Sequence, residues 1–257
     1  MRLISVVTIV RNDRPGLMRT RTSIASQSFR DFDWLIVDGA STDGTAQYAQ
    51  SLDEPYVSVQ SEPDSGIFDA MNKGLERATG EFVLFLNAGD TLVNNAVLEC
   101  VASRLRRGDV DFLYGDSLEA FGGDQLIYKV AKGHQRVTYG MFACHQTMFY
   151  RRSLIGAQRY DSRYLVSGDY AFTAQFLTKR PRIERVDQAL CIFDVTGTSV
   201  SNQRRGRQEN WKVQRDVLEL SLLRRCAIRV AYICSALLAN QVPVLYKMLR
   251  FRRLNGN

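Results

Sequence analysis

Asp38, Asp43 and Asp90 stand in short polar loops that follow apolar runs, and Asn12 and Asn87 stand in loops of the same kind. Together these residues describe a site of carboxylates and amides, suited to a polar ligand held by hydrogen bonds. No GxGxxG follows the first apolar run and no GxxxxGK[ST] occurs anywhere, so the usual dinucleotide and P-loop cradles are unsupported. The cysteines, Cys100, Cys144, Cys191, Cys226 and Cys234, are odd in number, widely spaced and without a CxxC pair. They offer neither a zinc site nor a redox pair, and they point to a reduced, cytosol-facing protein.

The elements that must position these loops alternate in type. Leu3 to Val10 is a β-branched run that ends in Arg11-Asn12-Asp13-Arg14-Pro15-Gly16, with a helical pattern from Leu17 to Gln27 behind it. Trp34 to Val37 ends at Asp38-Gly39, and Ser41-Thr42-Asp43-Gly44-Thr45 then supplies helix-capping residues before Ala46 to Leu52. Val57 to Gln60 is a third strand, followed by a loop and a helix from Ile67 to Ala78. Glu81 to Leu86 is a fourth, closed by Asn87-Ala88-Gly89-Asp90. Four strand-then-helix units in about 100 residues imply an α/β fold with a doubly wound, mainly parallel sheet. In such sheets ligands bind beyond the carboxyl ends of the strands, where these loops lie. The apolar start is too short for a signal peptide and lacks a small-residue cleavage site, so it reads as the first buried strand.

The second half is less regular. Asp111 to Tyr114, Thr147 to Tyr150 and Leu190 to Val195 read as strands, and Asp169 to Thr178 as a helix. From Arg207 onward the pattern is helical, and Cys226 to Ala239 is apolar nearly all round, as in a helix buried in protein, dimer or lipid. The net charge of +7 is concentrated here: residues 204–257 hold 12 Lys and Arg against 3 Asp and Glu, leaving the first 203 residues slightly negative. With 257 residues, 45% hydrophobic and 24% charged, the chain has ordinary globular composition.

Taken in order, SVVTIVRN (Ser5 to Asn12), IVDGASTDGT (Ile36 to Thr45), DSGIFDAMNKGLERATGEFVLFLNAGD (Asp64 to Asp90) and SGDY (Ser167 to Tyr170) resemble the family 2 glycosyltransferases over about residues 3–200. The resemblance implies a GT-A fold with a C-terminal helical extension. Residues 1–100 would be its nucleotide-sugar half, 101–203 its acceptor half and 204–257 a basic, apolar tail. It implies an inverting transferase that moves a sugar from a nucleotide diphosphate donor, UDP-sugar by default, to a hydroxyl of a glycan or lipid-linked saccharide in bacterial surface polysaccharide or glycolipid synthesis.

The same resemblance implies roles for individual residues. Thr8, Asn12 and Asp38 would line the nucleoside pocket, with Asp38 accepting from a base N–H. Asp43 lies in a sequence that is also a good helix cap, and both readings stand. Gly66, Ala70, Asn72 and Gly74 have the spacing of a second nucleotide-binding segment, in which small residues let the backbone approach the donor. Asp69 and Asn72 belong to that segment, and Lys73 is either a phosphate contact or a solvated helix lysine. Asn87-Ala88-Gly89-Asp90 takes the place of the DxD-like metal motif for Mg²⁺ or Mn²⁺. With Asn87 and Gly89 where Asp is common, Asp90 is left as the sole protein carboxylate on the metal and Asn87 as a neutral donor contact. Asp169 matches the general base, with Gly168 in place of the usual acidic neighbour. His145 and Gln146 are read on the acceptor or diphosphate side, His145 alternatively as a packed residue. Arg204, Arg205, Arg207 and Trp211 fail to match the QxxRW element of processive relatives residue by residue, so processivity is not implied.

The tail is interrupted by Arg229, Asn240, Gln241, Pro243 and Lys247, which disfavours a spanning helix. An interfacial helix at the inner face of the cell membrane, with Arg224-Arg225 and Arg250-Phe251-Arg252-Arg253 meeting anionic headgroups, competes with a homodimer contact or a solvated basic tail. Nucleic acid is not an expected partner, because the tail lacks interleaved aromatics. Two other functional readings remain open: a sugar nucleotidyltransferase, for which Arg11 to Gly16 is a poor phosphate loop, and a noncatalytic sugar-nucleotide binder, against which Asp90 and Asp169 speak.

Overall fold

The computed structural model describes residues 2–120, 126–194 and 203–241. β1 (Ile4–Val10) is buried along its whole length, as a strand covered on both faces must be, so the apolar start is a core strand. It pairs in parallel with β2 (Phe32–Asp38) and β4 (Phe82–Phe85), and β2 pairs in parallel with β3 (Val57–Ser61). The four strands lie in the order β3-β2-β1-β4, one of the orders open to consecutive strand-then-helix units. Register matters for the site. Val10 pairs with Asp38, and Asp38 with Ser61, so the loops after β1, β2 and β3 leave the sheet at the same level.

The crossover helices are α1 (Arg14–Ala25), α2 (Thr45–Gln50) and α3 (Ile67–Arg77). Asp13 caps α1 by accepting from the Gly16 amide at 2.8 Å, and Pro15 sits in the first turn, where its missing N–H costs nothing. α3 lies close on the sheet: a Cβ on Gly74 would collide with the Val7 side chain.

Beyond β4 the sheet changes character. After the short β5 (Thr91–Leu92) and α4 (Val97–Leu105), β6 (Phe112–Ala120) forms a hairpin with β7 (Leu126–Lys129). β8 (Phe149–Arg151) fits antiparallel between β4 and β6, and a single turn, α5 (Arg152–Ile155), follows it. After α6 (Gly168–Thr178), β9 (Ile183–Asp194) runs parallel to β6 and antiparallel to β5. β6 and β9 extend well past the apolar stretches that mark them in sequence, because their outer portions are only half-buried and carry polar residues. The expected strand at Thr147 begins later, since residues 145–147 form a 3₁₀ turn. Phe68 of α3 stacks on Tyr160, which stacks on Phe172 of α6 at 4.2 Å between ring centres, joining the two halves on one face of the sheet.

The helical C-terminal region starts earlier than Arg207 and is broken in the middle. α7 (Gln203–Asp216) packs against α6, with Val213 fully buried beside Tyr164, Tyr170 and Ala174. The chain then turns, with Glu219 at φ 51°, into α8 (Leu222–Gln241). The boundary expected at residue 203 therefore falls at the start of a helix whose inner face belongs to the main body. Among the described residues no helix is long and apolar enough to cross a membrane. Arg250 to Arg253 lie outside the described residues.

Candidate active site

The loops after β1, β2 and β3 meet above the sheet. Asn12, in the left-handed region at φ 52°, donates its amide to Ser41 Oγ at 2.7 Å and accepts from the Thr42 amide at 2.8 Å. A Cβ on Gly39 would collide with the Asp64 carboxylate and stand 3.3 Å from Arg11 Cδ, so a side chain there would close the space between the loops. Asp38 is fully buried at their base. Its Oδ2 accepts from the Ser41 amide at 3.0 Å and from Ser61 Oγ at 2.6 Å, while its Oδ1 is buried without a partner. Asp43 lies just before the N-cap of α2, which is Gly44: one oxygen accepts from the Thr45 amide two residues on at 3.0 Å and from Thr45 Oγ1, which holds its carboxyl below the usual range.

Several residues expected in the donor pocket are taken up elsewhere. Thr8 is wholly buried between β1, β2 and β4, donating to the Leu86 carbonyl at 2.6 Å and accepting from Trp34 Nε1 at 2.8 Å. Asn72 braces the chain before α6, donating to the Tyr160 carbonyl and accepting from the Tyr160 amide. Lys73 reaches the Pro63 carbonyl at 2.6 Å and Glu62 at 2.7 Å, so it closes its own loop. Asp69 accepts from the Ser65 amide at 2.8 Å in the same loop. Gly74 makes room for Val7. The helical period shows which of these residues share a face, but not whether that face meets the sheet or a ligand.

The turn after β4 is held by α1. Thr20 Oγ1 donates to the Asp90 carbonyl at 2.8 Å and accepts from the Gly89 amide at 3.1 Å, with Gly89 at φ 95°, where a side chain would be strained. This clamp directs the Asp90 side chain inward. Asp90 is 4% exposed, with Oδ2 accepting from Gln146 Nε2 at 2.7 Å and Oδ1 from the Asp194 amide at 3.1 Å. Burial outweighs these bonds and raises its pKa to about 7. Asn87 Oδ1 is buried without a partner in the same turn. Among the described residues no group of three His, Cys, Asp or Glu side chains is gathered for a metal. A one-carboxylate site still fits: the oxygens present are hard donors, one of them is unpaired, and a cation would offset the buried charge of Asp90.

Asp169 is placed by the first turn of α6. Its Oδ1 accepts from the Tyr170 amide at 2.7 Å, and its Oδ2 lies 3.9 Å from His145 Nδ1, beyond hydrogen-bond reach. Its side chain is 26% exposed. It faces an open cleft of about 350 Å³ walled by Met141, Val166, Gly206, Arg207 and Asn210. Burial raises its pKa to about 6, so at neutral pH it is an ionised carboxylate with raised proton affinity. The His145 side chain is 12% exposed and its burial lowers its pKa to about 4, so it is neutral, with Nε2 unpartnered among the described residues. The turn of residues 145–147 links the two carboxylates, with His145 toward Asp169 and Gln146 on Asp90. Gln146 therefore acts on the side chain of Asp90.

The profile of Glycosyl transferase family 2 matches residues 5–180. A PGL/p-HBAD biosynthesis glycosyltransferase of Mycobacterium bovis is 32% identical over 198 residues, covering 71% of this chain and 73% of that protein. A putative teichuronic acid biosynthesis glycosyltransferase, TuaG of Bacillus subtilis, is 28% identical over 240 residues, covering 90% and 94%. Among solved structures, residues 1–349 of S. aureus TarS with UDP superpose with a TM-score of 0.68 at 21% identity, covering 97% of this chain and 75% of that one. The mannosyltransferase PcManGT of Pyrobaculum calidifontis, with GDP-Man and Mn²⁺, gives 0.65 at 15%, covering 98% and 79%. At these identities the structural likenesses carry the fold alone.

Proposed function

The chain belongs to glycosyl transferase family 2 and has the GT-A fold, and from that premise we propose that it transfers a sugar, with inversion, from a nucleotide diphosphate donor to a hydroxyl of a surface glycan or glycolipid. The observation that carries this reading is Asp169: one carboxylate oxygen is engaged by its own helix while the side chain faces a cleft at a pKa of about 6. In the proposed step Asp169 takes the acceptor hydroxyl proton as the hydroxyl oxygen bonds to the anomeric carbon and the bond from that carbon to the diphosphate oxygen breaks. Attack opposite the leaving group inverts the centre.

On the donor side, Asp38 Oδ1 is the buried acceptor for a base N–H, with Asn12 and the 38–41 loop around it. Asp90, with Asn87 Oδ1 and donor oxygens, would hold Mg²⁺ or Mn²⁺. Bound there, such an ion would supply positive charge against the diphosphate. UDP-sugar is the donor we favour, in keeping with the UDP bound to TarS. The acceptor we favour is lipid-linked or displayed at an anionic membrane surface. α8 exposes Leu222, Leu223, Val230 and Ile233 together with Arg224, an apolar and basic surface suited to an interface, while Arg225, Arg229 and Tyr232 turn toward the body.

Incubation with UDP-, GDP- and dTDP-sugars, Mn²⁺ or Mg²⁺ and saccharide acceptors tests this proposal, with the anomer of the product read by nuclear magnetic resonance. The expected product carries the configuration opposite to the donor. A product with the donor's configuration overturns inversion, and cleavage of no donor in the panel overturns the transferase reading.

A further inference from the structure

α6 opens without a cap of its own. Ser167, at its N-cap, makes no side-chain bond to the helix, although the first turn leaves amides without intrahelical partners. A carboxylate from α7 instead holds the loop that leads into the helix. Glu209, 4% exposed, accepts from the Leu165 amide at 3.1 Å, the Val166 amide at 2.9 Å and the Ser167 amide at 2.9 Å, and on its other side from Arg205 Nε at 2.9 Å. Three successive backbone amides converging on one anion form a nest, occupied here by the chain's own carboxylate across more than 40 residues of sequence. These bonds keep Glu209 below the usual carboxylate range despite its burial, so it remains charged at neutral pH.

The anchored loop is one wall of the Asp169 cleft, through Val166 and Ser167, and two residues later it becomes Asp169 itself. Gly206 and Asn210, on either side of Glu209 in α7, form the opposite wall. Gly168 cannot carry an acid in its place: a Cβ there would stand 2.6 Å from the Phe68 ring. We propose that Glu209 is a positioning residue for the reaction, fixing the loop that aims Asp169 and placing a permanent negative charge behind it.

The inference rests on Asp169 being the base. The groups facing Asp169 are neutral His145 from the 145–147 turn, Tyr150 of β8, Tyr160 before α6, and Glu209 with its partner Arg205 and the cleft residue Arg207 from α7. Of these, Glu209 is the fixed anion. It adds to the effect of burial in raising the proton affinity of Asp169.

The test compares Glu209→Gln, Glu209→Asp and Glu209→Ala with Asp169→Asn in the full chain, reading kcat, donor KM, thermal midpoint and the pH profile of kcat/KM. Glu209→Gln keeps the shape and removes the charge. Its acid limb is expected to move to lower pH and its kcat to fall about tenfold, with donor KM within about twofold of wild type. Glu209→Ala, which frees the loop, is expected to lose about a hundredfold in kcat. Glu209→Asp should recover part of that loss. An unmoved acid limb with wild-type kcat in Glu209→Gln, while Asp169→Asn is inactive, overturns the positioning role alone. Loss of donor binding and thermal midpoint in every Glu209 variant also overturns it, by showing a general support of the fold. Transfer by Asp169→Asn instead sinks the base on which the inference rests.

Discussion

Asp90 and Asp169 lie at either end of one short turn, and both are carboxylates raised by burial, to about 7 and about 6. Their surroundings are opposite. Asp90 is 4% exposed with a donor on each oxygen, one from Gln146 and one from the Asp194 amide, while its own turn is clamped by Thr20. Asp169 has one oxygen tied by its helix and the other, among the described residues, without a hydrogen bond, and its side chain lines the cleft. A side chain immobilised on both oxygens suits a cation ligand, whose charge would favour its ionised form. One with a free oxygen and a pKa just below neutrality suits proton transfer. The difference teaches that burial sets how strongly a carboxylate holds a proton, and bond placement sets whether a substrate can deliver one.

Breaking the Asp169 side of this comparison has the largest expected effect. Asp169→Asn keeps the shape and the bond to the Tyr170 amide but cannot accept the proton, so kcat is expected to fall by roughly 10²- to 10⁴-fold. Calorimetric binding of UDP should stay near the wild-type value, and loss of both together would mean that Asp169 supports the donor. The variant has a second signature. A carboxylate whose folded pKa lies above its unfolded value of 3.8 loses stabilisation as pH rises from about 4 to about 6. Removing that charge should raise the thermal midpoint at pH 8 by roughly 2–4 °C, and leave it nearly unchanged near pH 4.

Asp90→Ala comes next. It should abolish the Mn²⁺-dependent part of donor affinity, a loss of about a hundredfold, and leave any metal-free nucleotide binding in place. Equal titrations with and without Mn²⁺ in wild type and variant would separate Asp90 from the metal. Gln146→Leu removes one of the two donors that orient Asp90 while keeping the carboxylate. The expected loss in Mn²⁺ affinity is about tenfold, recovered at saturating Mn²⁺. A variant that no excess of metal rescues would place Gln146 on a substrate instead.

The pH profile sharpens the comparison from the other end. Asp169 must be ionised to act, so kcat/KM should rise with pH, level off above about 6, and fall about tenfold per unit below that. His145, lowered to about 4 by burial, is neutral throughout this range. His145→Gln should therefore keep the acid limb where it is, and an acid limb that disappears with His145 would move the base from Asp169 to the imidazole.

The parallel half of the fold was legible because β1, β2 and β4 are continuous apolar runs ended by polar loops, a pattern that strands covered on both faces must have. The same property hid Thr8: along a strand buried on both faces, no alternation marks which side chains stay inside. Asn72, Lys73 and Gly74 have donor-binding types and spacing, yet their partners are Tyr160, Pro63 and Val7, which helical periodicity cannot name. Asp38, Asp90 and Asp169, on which the proposed site rests, are singled out by ordered motifs. Glu209 is not, because it sits in a basic helix where the local pattern offers only an i,i+4 pair with Arg205, and its real partners lie 42 to 44 residues away. β5 left no signal either, since two residues gain strand character only by pairing with β9.

The smallest expected effect belongs farthest from both carboxylates. Arg225 and Arg229 of α8 lie 4.7 and 5.6 Å over the Trp211 ring, and Tyr232 bonds to the Tyr139 carbonyl, so the inner face of the helix is fastened to the body. Leu222 and Leu223 project outward, 60% and 84% exposed among the described residues. If α8 is an interfacial helix, Leu222→Ser with Leu223→Ser should weaken sedimentation with anionic phospholipid vesicles several-fold, at roughly 1.5–3 kcal/mol for each fully buried leucine as an upper bound. Transfer to a water-soluble acceptor should be unchanged, because neither residue approaches the cleft. Vesicle binding that is unaltered in this variant, or absent in wild type, would return the apolar face to a protein partner and leave the acceptor's location to be read from the cleft alone.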